Sequence, residues 1–233
     1  MKRIIPWIGC LLLTSPIVAQ ESDNSLTADE KKNGWQLLFD GKDLSQWVTS
    51  NGSPIAPALQ SDALNPHACK TYMIATKKKY KNYVLSLDLK LTENCNSGIF
   101  FRVFSLEPLP GKDVGWNGME VAVQEGTGVG YHSMGAIYDL VHPIRNTLKP
   151  LGEWNRVELT IDDNLVLVTV NGKLVTWMDV DKFAKKNKRP DGSDHKFDIA
   201  YRDFPRSGHI GLQDHGHDCW YKNIKIKELP SRE

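Results

Sequence analysis

The chain lacks an excess of charge of either sign. Its 29 Lys and Arg residues stand against 28 Asp and Glu. A surface so balanced gives no reason to expect nucleic acid or an anionic membrane as partner. The basic runs Lys77–Lys79 and Lys185–Arg189 read as solvated loop charges. Several catalytic signatures are missing too. No Gly-rich phosphate loop follows a strand, no Gly-x-Ser-x-Gly elbow presents a serine, and no His-Glu-x-x-His offers zinc ligands. Nucleotide binding and serine-based catalysis therefore lack support. Helical periodicity is also lacking, and beyond the first residues no apolar run is long enough to insert in a membrane.

The first 20 residues are different. Lys2 and Arg3 precede an apolar run, Ile4–Leu13, and then small residues up to Gln20. This order predicts a secretory signal peptide over residues 1–20 and a periplasmic or secreted mature protein. The run is short and holds Pro6, which argues against a spanning helix. Cys10 lies too early in it for a lipidation box. Residues 21–34 are polar and aperiodic, and read as a flexible N-terminal arm. The rest, 35–229, reads as one domain of sufficient size to bury a core. Three cysteines remain in it, Cys69, Cys95 and Cys219. One pair could bridge in an oxidising compartment, and the sequence does not choose among the three pairings.

Most of the domain carries a period of two. Tyr83, Leu85, Leu87, Leu89 and Leu91 alternate with more polar residues, as do Val157, Leu159 and Ile161. Leu165–Val170 is a continuous apolar run that predicts a strand buried on both faces. Asn171-Gly172 after it is a strong type I′ hairpin signal. Trp220, Ile224 and Ile226 predict a last strand with Lys225 and Lys227 outward. Thr49–Lys70, rich in Pro, Gly and Asn, predicts a long loop, and Met178–Lys188 a short helical turn. The fold class is all-β, an antiparallel sandwich or jelly roll.

Some polar residues sit where a folding sheet would carry Val or Ile. Arg102 follows Ile99-Phe-Phe and is costly to bury unpaired, so it is expected at a cleft, opposite a carboxylate or an anionic intermediate. On a strand, Glu120, Ala122 and Gln124 share one face, with Met119, Val121 and Val123 on the other. That lines an outer, concave surface with Glu120 and Gln124. Tyr138 is a candidate sugar platform or acid, and Asp139 beside it a turn residue or a contact to substrate. His215 suits general acid or base work. With His217, Asp214 and Asp218 it could also hold a divalent metal, though no third ligand follows at a recognisable spacing. No other cofactor is evident.

Taken together these motifs resemble the 3-keto-disaccharide hydrolase domain family. The stretches that carry the resemblance are Trp35–Trp47, Asn96–Arg102, Gly118–Val121, Gly135–Tyr138, Glu153–Asn155, Val170–Gly172, Gly211–Gly216 and Asn223–Lys227. The resemblance implies a concanavalin A-like jelly roll of two packed antiparallel sheets. It implies a carbohydrate substrate already oxidised at C3 by an upstream sugar 3-oxidoreductase. A C3 ketone acidifies the C2 hydrogen and places the C1 aglycone β to the carbonyl. Base attack at C2 then gives an enolate, the C1–O bond breaks, and water can add afterwards. On this basis either Glu120 or His215 is expected as base and the other as acid, with Arg102 as the enolate's counter-charge. Asn96, Gln124 and Gln213 would orient hydroxyls, and Tyr138 would stack or donate a proton. Ala122 departs from the family pattern, where a polar residue is common. Cys95 is also unexpected, and would tie the site strand to the Cys69 loop.

Two rival readings use the same residues. A retaining glycosidase on this fold needs Glu-x-Asp-x-x-Glu, and Glu120 with Glu125 has the outer spacing but Ala122 in the middle. A carbohydrate-binding module needs aromatics and amides and no Arg–Glu–His set.

Overall fold

The computed structural model describes Ser22–Ser231, so the expected signal peptide lies outside the described residues. Short helix α1 (Ala28–Lys32) comes first, followed by strands β1 (Gln36–Leu37), β2 (Trp47–Thr49), β3 (Leu59–Gln60), β4 (Ala63–Leu64) and β5 (Met73–Thr76). The long strands are β6 (Tyr83–Leu91), β7 (Asn96–Val103), β8 (Met119–Gln124), β9 (Trp154–Asp162), β10 (Leu165–Val170) and β11 (Lys173–Asp179). β12 (His209–Gln213) and β13 (Cys219–Glu228) end the chain. Among the described residues they form two antiparallel sheets. An eight-stranded sheet runs β11-β10-β9-β6-β13-β4-β3, with β1 also on β13, and a five-stranded sheet runs β2-β5-β12-β7-β8. This is the expected all-β jelly roll. No helix among the described residues is long and apolar enough to cross a membrane.

The alternating residues explain the packing. Leu85, Leu87, Leu89, Val157, Leu159 and Ile161 of the large sheet meet Ile99, Phe101, Met119, Val121 and Val123 of the small one in a single buried cluster. Leu165–Val170 differs from expectation: its burial alternates, because β10 lies next to edge strand β11 and only Val166, Val168 and Val170 face the core. The Asn171–Gly172 turn closes that hairpin with φ of 50° and 72°, the positive pair a type I′ turn requires.

The N-terminal arm is not a loose segment over its described part. Thr27 and Glu30 form a capping box on α1. Asn24 exchanges hydrogen bonds with Asn223, and the Glu30 carboxylate pairs with Lys225. The expected Thr49–Lys70 loop is likewise structured: two 3₁₀ turns flank the β3–β4 hairpin, which docks on β13 through Leu64 opposite Tyr221. The helical turn expected after Met178 is a 3₁₀ turn at Val180–Lys182.

The register shifts in three strand pairs among the described residues, and besides the one between β10 and β11 at Val168/Thr169, two bear on the candidate residues. In β13 the register slips between Lys222 and Lys225 with Asn223 at φ 53°. Trp220 is thereby on the outer face, while Ile224 and Ile226 are in the core. In β7, Phe100 pairs with Gly211 and Val103 with His209, so Phe101 and Arg102 together oppose Ile210. Arg102 takes φ 54° there. The bulge is held by Gly208, where a Cβ would lie 2.3 Å from the Arg102 carbonyl carbon and 2.4 Å from the Val103 nitrogen. Both are backbone atoms and cannot swing aside. Gly208→Ala is therefore expected to cost about 3 kcal/mol or more, read as a lowered urea midpoint; an unchanged midpoint would contradict this packing.

Candidate active site

The outer face of the five-stranded sheet holds a narrow recess of ≈ 40 Å³, lined among others by Tyr72, Phe100, Asp113, Gly115, Trp116, Glu120, Tyr138, Lys196 and Phe197. Glu120 is delivered by β8, whose alternation turns Met119, Val121 and Val123 into the core. Across the ladder it faces Phe100, with Gly98 opposite Ala122 as its diagonal neighbour. Gly98 is what makes room. A Cβ there would lie 2.7 Å from both Cγ and Oε1 of Glu120, so the carboxyl rests where a side chain would otherwise stand. Burial in that place pushes the Glu120 carboxyl up to about 8; Lys196 offsets part of the effect and Asp113 adds to it.

Tyr72 is admitted in the same way. At Gly115 a Cβ would lie 2.3 Å from the Tyr72 hydroxyl. Asp113 caps the 3₁₀ turn Val114–Asn117 by accepting from the Gly115 amide at 2.9 Å, which sets its carboxylate beside that hydroxyl. Burial, then the charges of Asp113 and Glu120, hold Tyr72 well above the usual phenol range. It is a fixed neutral donor. The Gln213 amide donates to the same hydroxyl at 3.2 Å, and the Tyr72 ring packs edge-on against Phe100 at 6.0 Å.

The cation comes from a distant loop. Lys196 Nζ lies 4.3 Å over the Tyr138 ring and 5.2 Å over Phe197. Its backbone amide donates to Asp139 Oδ2 at 2.7 Å, while Arg189 donates to Asp139 Oδ1 at 2.8 Å and to the Asp194 carbonyl. Asp139, at φ 56°, thus braces the loop that carries Lys196. Trp116 completes the rim, edge-on to Phe197 at 5.1 Å.

The expected residues are thus partly reassembled. Glu120 and Tyr138 line one recess. The Tyr138 ring is not a free platform, since His132 stacks on it at 4.6 Å and Lys196 lies over it at 4.3 Å. Asn96 and Gln124 form an opposing pair farther along β7 and β8; Gln124 borders a separate open hollow with Tyr131, His132 and Asp139. Gln213 supports Tyr72, and Asp139 is committed to Arg189 and the Lys196 amide.

Arg102 is not in the recess. The bulge sends its side chain inward, 0% exposed, where it donates to the Asp163 carbonyl at the end of the large sheet. Its Nε and Nη1 have no protein partner, and burial, with Arg206 nearby, holds it down to about 10. His215 is also elsewhere, exposed on the loop after β12. Its neighbours are already engaged: Asp214 bonds His67 at 2.8 Å and Asp218 accepts from Asn65 at 2.7 Å. Among the described residues no group of three or more His, Cys, Asp or Glu is placed to hold a metal. Cys95 contacts the Cys219 thiol and not Cys69, which bonds the Ile55 carbonyl at 3.6 Å. Tyr72, Asp113, Trp116 and Lys196 went unread in the sequence. Asp113 carried the faint mark of a turn cap, and the others none.

A family model described as the 3-keto-alpha-glucoside-1,2-lyase-like domain matches residues 34–227. The chain belongs to this family. It is 26% identical to the 3-keto-disaccharide hydrolase of Bacteroides thetaiotaomicron, over 91% of this chain and 83% of that protein. Among solved structures, a candidate glycosyl hydrolase from Parabacteroides distasonis superposes with a TM-score of 0.73 at 26% identity, covering 90% of this chain and 100% of that one. A second from the same organism gives 0.68 at 30% identity, over 84% and 100%.

Two predictions follow from the Gly98 seat. Gly98→Ala leaves the backbone unstrained but evicts the Glu120 carboxyl, so any activity that needs it should fall at least about tenfold with little loss of stability. The second concerns pH. The Glu120 carboxyl is at about 8 in the fold against an ordinary 4.5. Its contribution to stability is therefore whole below 4.5 and is lost as pH rises through 8. Glu120→Gln should accordingly gain in melting temperature relative to the parent between pH 5 and pH 9. A constant difference would contradict the shift.

Proposed function

We propose that the protein cleaves the glycosidic bond of 3-keto-glycosides by removing the C2 proton. The observation that carries this reading is the Glu120 carboxyl seated over Gly98 and pushed up to about 8. A base of that strength suits an α-hydrogen acidified by a ketone, and works near neutral pH. Glu120 takes the C2 proton; the electron pair flows to the C3 oxygen, and the Lys196 ammonium stabilises the enolate. As the enolate collapses, a C1–C2 double bond forms and the C1–O bond breaks. The Tyr138 hydroxyl is the donor to the departing oxygen, in place of His215. Water adding to C1 of the enone, with a proton returned to C2, turns elimination into net hydrolysis. Asn96 and Gln124 border the space for the leaving sugar.

The family description names a lyase and the Bacteroides relative is named a hydrolase. The proposed enolate is common to both outcomes, which differ only in the later water. The substrate must come from an oxidoreductase acting at a sugar C3 hydroxyl, working upstream in the periplasm or outside the cell. A retaining glycosidase is disfavoured because Glu125 lies past the end of β8 and does not line the recess that holds Glu120.

The reading is tested with matched oxidised and unoxidised disaccharides in deuterated water. Release from the 3-keto sugar alone, with deuterium at C2 of recovered substrate or product, is expected; release from the plain sugar, or no deuterium, overturns it. Glu120→Gln should lower kcat about 10³-fold or more and abolish the rising limb of kcat/KM near pH 8. Arg102→Met should keep kcat within about threefold below its melting temperature, since its guanidinium faces the core; a loss like that of Glu120→Gln would return it to the chemistry.

A further inference from the structure

A second cavity, of ≈ 330 Å³, opens beside edge strand β11, a size at the lower end of small-molecule sites. The buried Leu140 lines both it and the Glu120 recess, so its side chain is a wall between the two. At the cavity Trp177 is 55% exposed and Ile144 56%. Among the described residues neither a ring nor a cation covers the Trp177 indole. Trp177 stands on β11 opposite Leu167, a position that a strand needing only solubility would fill with a polar side chain.

The charged lining limits the occupant. Asp179 and Asp191 are balanced by Lys182 and Arg189, so no net charge selects an ion. Free acceptors remain in the lining. The His142 Nδ1 bonds the Pro143 carbonyl at 3.1 Å and so carries the hydrogen, which leaves Nε2 as an acceptor. Asp191 uses only Oδ1 in its bonds to Ser193. A flat aromatic face beside acceptors and a cation suits a neutral ligand with an apolar face and a hydroxylated edge. We infer that this cavity is a second, non-catalytic carbohydrate site, taking an unoxidised mono- or disaccharide with a ring face against Trp177.

The inference goes beyond the Glu120 chemistry and does not rest on it. It is tested by calorimetric titration of the whole protein with maltose, cellobiose, sucrose and trehalose, none of which carries a ketone at C3. At least one is expected to bind. Trp177→Ala should weaken that binding about tenfold or more, Trp177→Phe should recover part of it, and Glu120→Gln should leave it unchanged. Because the indole is half exposed, the variants should melt with the parent. Failure of all four sugars overturns the inference, as does binding lost in Glu120→Gln but kept in Trp177→Ala, which would place the sugar in the recess. A parent that sediments as a dimer and a Trp177→Ala variant that sediments as a monomer, without sugar affinity, would give the cavity to a second copy of the chain and overturn it too.

Discussion

The Glu120 carboxyl occupies the volume that any side chain at position 98 would fill, and the rest of the site is arranged around that placement. A carboxyl held against a strand backbone, in a recess that Phe100 and Tyr138 also line, loses water on most sides. Its ionised form is then penalised, and the group becomes a base near neutral pH. The second missing Cβ, at Gly115, has the same geometric effect for the Tyr72 hydroxyl. Glycine is used at both positions for close approach, not for a left-handed φ. The Asn-Ser-Gly and Asp-Val-Gly stretches are thus cradles for side chains that arrive from elsewhere in the chain.

What the sequence conveyed follows from how regular the ladder is. Where the pairing runs without a slip, the period of two assigned faces correctly, as for Glu120 and the apolar residues flanking it. It failed at bulges. Arg102 stands one residue beyond Phe101, so strict alternation puts it outward beside Phe100; the extra residue in β7 turns it into the core. Its left-handed backbone carries no mark in the sequence, because arginine is not a residue chosen for positive φ. Asn223 is such a residue, and the slip there was in principle legible. The Leu165–Val170 run misled for another reason: apolar side chains on the outer face of a near-edge strand look the same as those of a central one.

The rest of the site was hidden because it is non-local. Tyr72, Asp113 and Lys196 come from three connections with no periodicity of their own, and each is placed by a polar contact that cannot be inferred from neighbours in sequence. Lys196 is the clearest instance. Its backbone amide is anchored by Asp139, 57 residues earlier, and Asp139 is in turn gripped by Arg189. The carboxylate that looked like a substrate contact therefore acts on the backbone of the cation's loop. Likewise Gln213 spends its amide on Tyr72. Both polar residues serve the groups that line the recess.

This division of labour has a consequence for the charge of the proposed reaction. Glu120 is the one carboxyl of the recess pushed far above its ordinary range, and the nearby Asp113 raises it further while Lys196 lowers it. Neutralising Lys196 alone would make the base stronger but leave the enolate without a counter-ion. Neutralising Asp113 alone would free the Tyr72 proton and weaken the base. The two opposite charges thus set base strength and enolate stabilisation against each other, and a recess with both can take a proton at C2 and still release it. Such a poise is what a site needs if the same carboxyl is to serve elimination and, when water enters, the return of the proton.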